Sequence, residues 1–261
     1  MNYGEAFGLG LLQGLTEFLP VSSSGHLVIA QHFLGIAQPG VTLEVMVHFG
    51  TLLSIIWVFR QDIHKLLTGF LSSAEEKKFF ILLFWGTIPT GIIGILGGSF
   101  FTGLFGRPLL VGLALLVTGC IVLAISKIEI NFKDLQKMEV EDALLIGICQ
   151  GIAIIPGITR SGSTILGALW RGLDRETAVR YSFLLALPVI AGATVLEMKD
   201  FFKITTDPVL FYPYLLAMFT AFISGVFAIN FFIKLLNASR FHYIAYYCWF
   251  LGLLTVFGSL I

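Results

Sequence analysis

The chain has 261 residues, 57% of them hydrophobic and only 12% charged, with a mean hydropathy of +0.92. A soluble domain carries about 25% charged residues, so too little polar surface remains here to clothe a water-soluble globule; disorder, secretion as a soluble protein and a coiled coil are excluded with it. Sixteen basic and sixteen acidic residues give a formal net charge of zero, which disfavours nucleic acid as a partner and leaves the membrane as the chain's place.

In chain order, residues 6–19 and 27–37 are two apolar limbs interrupted by PVSSSGH. Helical limbs of about 8–14 residues reach roughly 12–20 Å, short of the ~30 Å hydrocarbon core. Non-helical backbone at membrane depth persists only where protein buries it or where it lines a watery cavity. The pattern predicts a re-entrant hairpin over 6–37 with its tip in the interior. No basic residue precedes it, which argues against a signal peptide. Spans follow over about 43–60, 79–101 and 108–126, joined by polar stretches such as RQDIHK and SSAEEKK. Glu44 and His48, one turn apart in the first span, either pair with each other or extend a site. A polar linker occupies 127–141. The limbs 143–155 and 163–170 flank PGITRSGS and predict a second hairpin over 143–172, followed by spans over about 177–197, 211–234 and 242–260. Cys120, Cys149 and Cys248 lie far apart in apolar stretches without ligand spacing.

The two hairpins repeat. A shift of 137 residues places Gln13-Gly14 on Gln150-Gly151, Ser24-Gly25 on Ser161-Gly162 and Ser23 on Arg160. Each half, 1–126 and 142–261, is then a hairpin plus three spans. Three crossings separate the copies, so their orientations are opposite. The expected fold is an all-α integral membrane protein built as an inverted repeat. Charge gives the sidedness. Placing the amino-terminus on one face sends twelve of the sixteen basic residues to the other, against Arg107, Lys199 and Lys203 beside the terminus, with Arg160 left at a tip. By the positive-inside bias the twelve are cytoplasmic. Both termini and the 36–42 connection face outward, and the tips meet near the middle.

After each tip a helix restarts, at about Leu27 and Thr164, with its positive dipole end toward the bilayer centre. Gly25 and Gly162 admit a ligand close to the backbone. Arg160 carries a planar fork suited to phosphate, or pairs with Glu17 to hold the repeats together. Glu17 can act as a base; with Gln13, four residues earlier on the same face, it can ligate a hard divalent cation. Ser22, Ser23 and Ser24 precede His26, and a serine beside a histidine and a carboxylate can be an activated nucleophile, although serines also cap helices. Thr159, Ser161, Ser163 and Thr164 bind phosphate oxygens or cap the second restart.

EFLPVSSSGH (17–26) and PGITRSGST (156–164), with QGLTE (13–17) upstream, resemble the paired motifs of the bacitracin-resistance type undecaprenyl-pyrophosphate phosphatases, along essentially the whole chain. The resemblance implies a hydrolase of the bacterial plasma membrane that removes the terminal phosphate of undecaprenyl pyrophosphate. That regenerates the lipid carrier for peptidoglycan and needs a divalent cation, Mg²⁺ or Ca²⁺. It implies Ser23 as nucleophile, His26 as its histidine, Arg160 as phosphate binder and Glu17 in the metal-associated acidic motif, whose first position is filled here by Gln13. Ser22, Ser24, Gly25, Thr159, Ser161, Gly162 and Thr164 would line the diphosphate. The family's second motif has serine where Thr159 stands, so a hydroxyl is kept. The site would open outward and sideways, with the prenyl tail still in lipid. A lipid-carrier flippase or anion transporter fits an inverted repeat equally well. A homodimer is compatible with either.

Overall fold

The computed structural model describes residues 1–35, 41–128, 132–204, 208–237 and 241–260. Most of the 36–42 connection and part of the 127–141 linker lie outside the described residues. The helices are α1 (Tyr3–Phe18), α2 (Ser23–Leu34), α3 (Val41–Val58), α4 (Arg60–Gly69), α5 (Ala74–Phe105), α6 (Pro108–Lys127), α7 (Val140–Ile152), α8 (Arg160–Trp170), α9 (Arg175–Ile204), α10 (Pro208–Asn237) and α11 (Phe241–Gly258). Among the described residues α5, α6, α9, α10 and α11 each contain a stretch long and apolar enough to cross a membrane. The remaining expected span, 43–60, does not run straight. It bends by 72° at Phe59, so that RQDIHK, which reads as a polar connection, opens the helix α4. α5 likewise begins inside SSAEEKK, because Ser73 caps it by accepting the Glu76 N–H and Glu75 and Glu76 sit at its positive end.

Each hairpin is two short helices around a break. α1 stops ahead of Pro20, which keeps Leu19 extended (φ −70°, ψ 143°). In the second hairpin Gly157 turns the chain at φ +97°, where a Cβ would also lie 2.6 Å from the Val111 carbonyl oxygen. The helices restart at Ser23 and Arg160, one turn earlier than expected from sequence. The reason is the hydroxyl just ahead of each: Ser22 Oγ accepts the Gly25 N–H at 3.3 Å and Thr159 Oγ1 accepts the Gly162 N–H at 3.2 Å. Ser23 and Arg160 are therefore the first residues of their helices. The other ends match too, with capping boxes at Asn2/Glu5 on α1 and at Glu139/Asp142 on α7.

The packing exchanges partners between the halves. α1 lies along α10 and α7 along α5, while α3 meets α9 and α6 meets α11. Close approach is possible because Gly10 faces the Ala217 carbonyl and Gly147 the Gly86 carbonyl, where a Cβ would come within 2.3 and 2.1 Å. Beside the first tip, Phe18 meets Phe183 edge-on with ring centroids 5.7 Å apart, and Phe183 continues to Phe59 and Phe232. Each such pair contributes about 0.5–1.5 kcal/mol beyond its buried area, and together they fix the residue next to Glu17. Outward, Ile95, Leu96, Phe227, Phe250 and Phe257 stay exposed, an apolar coat that lipid rather than water can cover.

The described part of the linker, from residue 132 onward, is docked. Lys133 pairs backbone to backbone with Gly172 and Asp174, and its Nζ lies 2.5 Å from the buried Asp142 carboxylate. Arg171 Nε and the Glu139 N–H donate to the same group at 2.6 and 2.8 Å. Burial alone would raise the Asp142 carboxyl; these donors hold it below its ordinary value. The stabilisation is present above the usual carboxylate range and is lost as pH falls through the lowered value. This cluster closes both ends of the second hairpin.

Candidate active site

The two breaks meet at a cavity of about 270 Å³. α1 and the first break bring Glu17, Ser22, Ser23 and Ser24 to its wall; the second hairpin brings Gln150, Thr159 and Arg160. α3 contributes Glu44 and His48. The other side is apolar, with Ala186, Val189, Ile190 and Ala193 of α9 and Ile154, Ile158 and Phe105. A charged end facing a greasy wall suits a headgroup with a hydrocarbon tail.

Glu17 organises the charged end. Its Oε1 accepts from Arg160 Nη2 at 2.6 Å, and its Oε2 accepts from Ser23 Oγ at 2.5 Å and from Gln13 Nε2 at 3.0 Å. One buried carboxylate thus holds the first residue of both restarted helices. The N–H groups opening α2 and α8 precede the first intrahelical bonds and add positive potential at the same place. Arg160 lines the cavity, and its Nη1 is buried with no hydrogen-bond partner among the described residues.

The backbone of Ser22 is strained, at φ 68° for a non-glycine residue. His26 holds it there. The ring Nδ1 donates to the Ser22 carbonyl at 2.7 Å, which leaves Nε2 to accept from the Tyr247 hydroxyl at 2.7 Å, the two rings being stacked. Both nitrogens are committed, and His26 does not line the cavity.

Gln13, Gly25, Ser161, Gly162 and Thr164 are also off the cavity wall. A Cβ on Gly25 would lie 3.1 Å from Gly157 Cα, and one on Gly162 3.2 Å from Pro20 Cβ. Each glycine thus lets its own helix end seat against the other hairpin's break. Thr164 Oγ1 donates back to the Arg160 carbonyl at 2.9 Å and touches Ser182, Ser163 donates to the Thr159 carbonyl at 2.7 Å, and Ser161 lies 3.4 Å from the Leu19 carbonyl. These hydroxyls brace α8.

His48 and Glu44 do reach the cavity. Two further groups have little sequence signal: Thr90, and Tyr247, more than 200 residues from its partner His26. Gln150 could have been found, since the 137-residue shift places it on Gln13. Its Nε2 lies 3.2 Å from Thr90 Oγ1, and its Oε1 is buried without a partner among the described residues.

In this arrangement the Glu17 carboxylate is taken up by protein donors, while Gln13 Oε1 is buried without a hydrogen-bond partner among the described residues. Three donors occupy the Glu17 carboxylate, Gln13 turns its amide nitrogen toward it, and among the described residues no three His, Cys, Asp or Glu side chains converge on one point.

Residues 6–254 match the family described as bacitracin resistance protein BacA. The chain is similar to proteins named undecaprenyl-diphosphatase from Halothermothrix orenii (43% identical, 98% of each chain covered), Alkaliphilus metalliredigens (38%, all of both chains) and Carboxydothermus hydrogenoformans (39%, 97% of this chain and 95% of the relative).

Proposed function

This chain belongs to the BacA family of bacitracin resistance proteins, and we propose on that footing that its cavity is where undecaprenyl pyrophosphate loses its terminal phosphate. The enzyme is an undecaprenyl-diphosphatase and a multi-pass protein of the cell membrane, and its product is the monophosphate carrier used in cell-wall synthesis. The observation that carries the site is the double grip of Glu17: the same carboxylate orients a serine hydroxyl and an arginine whose second arm has no hydrogen-bond partner among the described residues. The transport alternative finds no support in the relatives' names.

Phosphoryl transfer asks for charge neutralisation and in-line placement more than for covalent chemistry. Arg160 Nη1 and the two helix ends hold the terminal phosphate, with Thr159 and Ser24 on the wall beside them. Ser23 Oγ, its hydrogen directed at Glu17, attacks phosphorus. The Oγ–P bond forms, the bridging P–O bond breaks, and its electron pair leaves with the lipid monophosphate; water then releases the phosphate from serine. Ala193, Ile190 and Val189 guide the first isoprene units toward lipid. His26, Gly25 and Gly162 act behind the wall, by holding the Ser22 turn and by letting the hairpins interlock. Mg²⁺ or Ca²⁺ is compatible with diphosphate chemistry, but no step here is routed through an ion.

Purified protein in detergent is expected to release orthophosphate from a polyprenyl pyrophosphate without any second compartment. Failure to do so would remove the assignment. Chelation scores the ion separately: activity lost to chelator and restored by Mg²⁺ or Ca²⁺ requires one, and unchanged turnover dismisses it.

The exchanged packing partners and the paired capping boxes support an inverted repeat, with halves 1–126 and 142–261. The charge bias supports a site reached from outside the cell. In intact cells, on a background lacking the three native cysteines, Leu260→Cys should react with an impermeant thiol reagent and Glu75→Cys should not. The reverse pattern would overturn this sidedness.

A further inference from the structure

The bend at Phe59 produces a helix with three different faces. α3 has 18 residues, about 27 Å of helix at 1.5 Å per residue, close to the ~30 Å hydrocarbon core. By its length it ends where the core ends, and the 72° bend turns α4 toward the membrane plane. One face of α4 holds the protein. Ile63 and the buried Leu66 pack on the same core as Phe59, and Asp62 pairs with Arg180 of α9 at 2.7 Å. A second face is apolar and bare: Leu67 is 70% exposed and Leu71, four residues on, 93%. Leu71 does not belong to a loose end. The Gly69 carbonyl accepts the Ser72 and Ser73 N–H groups at 3.0 and 2.7 Å, and Phe70 meets Phe80 with ring centroids 4.9 Å apart. The third face is polar, with Gln61, Lys65 and Thr68 exposed.

We propose that α4 is a surface anchor, in which Leu67 and Leu71 dip into the acyl boundary of the membrane while Arg60 and Lys65 hold anionic lipid headgroups. The reading is independent of the chemistry in the cavity. Arg60, Leu67 and Leu71 follow one another at i, i+7 and i+11, a single stripe along the helix, and Lys65 flanks it on the polar side.

The surroundings say what covers the leucines. The exposed apolar coat of α3 runs to Ile56 and Trp57 just before the bend, and that of α5 begins at Phe80 and Phe84. Leu67 and Leu71 therefore lie in sequence between two surfaces that lipid covers. Trp57 marks the headgroup level, where an indole ring finds both apolar and polar neighbours. The Arg60 guanidinium carbon stands 5.3 Å from the centre of that ring, and Nη1 donates to the Trp57 carbonyl at 2.8 Å. Charge selects the kind of surface. The single carboxylate of α4, Asp62, is engaged by Arg180, which leaves Arg60 and Lys65 to attract anionic headgroups. A second copy seated here would have to bury both cations as well.

The test places nitroxide labels on the full chain, with its three native cysteines replaced, in nanodiscs of mixed phosphatidylcholine and phosphatidylglycerol. Labels at Leu67→Cys and Leu71→Cys should collide with oxygen several-fold more often than with a water-soluble nickel chelate, at a depth of about 5–10 Å below the headgroups. The label at Lys65→Cys should show the opposite preference. All of these side chains are exposed, so none of the substitutions opens the core. Nickel access at 67 and 71 equal to that at 65 would leave α4 in water, and protection from both reagents would mean that protein covers the leucines; either result overturns the proposal. A second measurement reads the charge. A bimane on Leu71→Cys should be quenched more strongly by brominated phosphatidylglycerol than by brominated phosphatidylcholine at the same mole fraction, with about 5-fold enrichment for each basic residue engaged. Adding Arg60→Gln and Lys65→Gln should bring the two lipids level. Equal quenching before those substitutions, or a preference that survives them, also overturns the proposal.

Discussion

Arg160→Lys is expected to reduce turnover by about 10²–10³-fold while the protein still folds and inserts, the loss typical of deleting one preorganised donor to a developing anion. Arg160 has two tasks in the structure. Nη2 binds Glu17 at 2.6 Å, and Nη1 is buried with no hydrogen-bond partner among the described residues. A lysine can satisfy the first task, because a single ammonium can sit against one carboxylate, but it lacks the planar fork that serves both. Lysine is the informative choice because alanine would strand the Glu17 charge and cost about 3–5 kcal/mol of stability, confusing folding with function. Phosphate release at saturating substrate, set beside a thermal melt, measures the two separately. If the pair serves only to clamp the hairpins together, the lysine enzyme will turn over near the wild-type rate.

Ser23→Ala is expected to cost at least about 10³-fold in kcat with substrate binding largely kept, as for removal of an activated nucleophile. Of the three consecutive serines only Ser23 donates to Glu17. The Ser22 hydroxyl is held by the Gly25 N–H and lies 3.3 Å from Ser24 Oγ. The Arg160 contacts and both helix ends survive the substitution, so a non-hydrolysed diphosphate analogue should bind within a few-fold of the wild type. Substrate labelled in its terminal phosphate should leave label on Ser23 of the wild-type enzyme after a rapid acid quench. No labelled protein, together with measurable turnover by Ser23→Ala, would make water the attacking group and Ser23 its positioner. A fully active variant would move the chemistry elsewhere.

The chain's own order carried much of this. Apolar length, the prolines and glycines at the breaks and the 137-residue repeat are local or periodic, and they sufficed for the two hairpins and for five of the six expected spans, with the sixth bent at Phe59. Local signals also mark capping, yet they place it poorly: Ser22 and Thr159 win the cap over residues one turn on only because each folds its hydroxyl back on a glycine N–H. That shift of one turn makes Ser23 and Arg160 the first residues of their helices and brings both to Glu17.

The division of labour within the site belongs to the tertiary structure. His26 stands in the serine motif, and in sequence it looks like the partner of Ser23. A tyrosine 221 residues away takes its free nitrogen and turns it into a support for the strained Ser22. His48 has no motif around it, and whether it pairs with Glu44 or joins the site depends on how α3 leans on α1 and α9. Gly25 and Gly162 lie where a phosphate could approach, but each is pressed against the other hairpin. The sequence determines which groups are present and how far each stretch can reach in the membrane, because helix period and hydrocarbon thickness are fixed lengths. Which nitrogen, hydroxyl or glycine face meets the cavity is decided only when distant helices close on one another, since a hydrogen bond to a residue hundreds of positions away leaves no trace in local spacing.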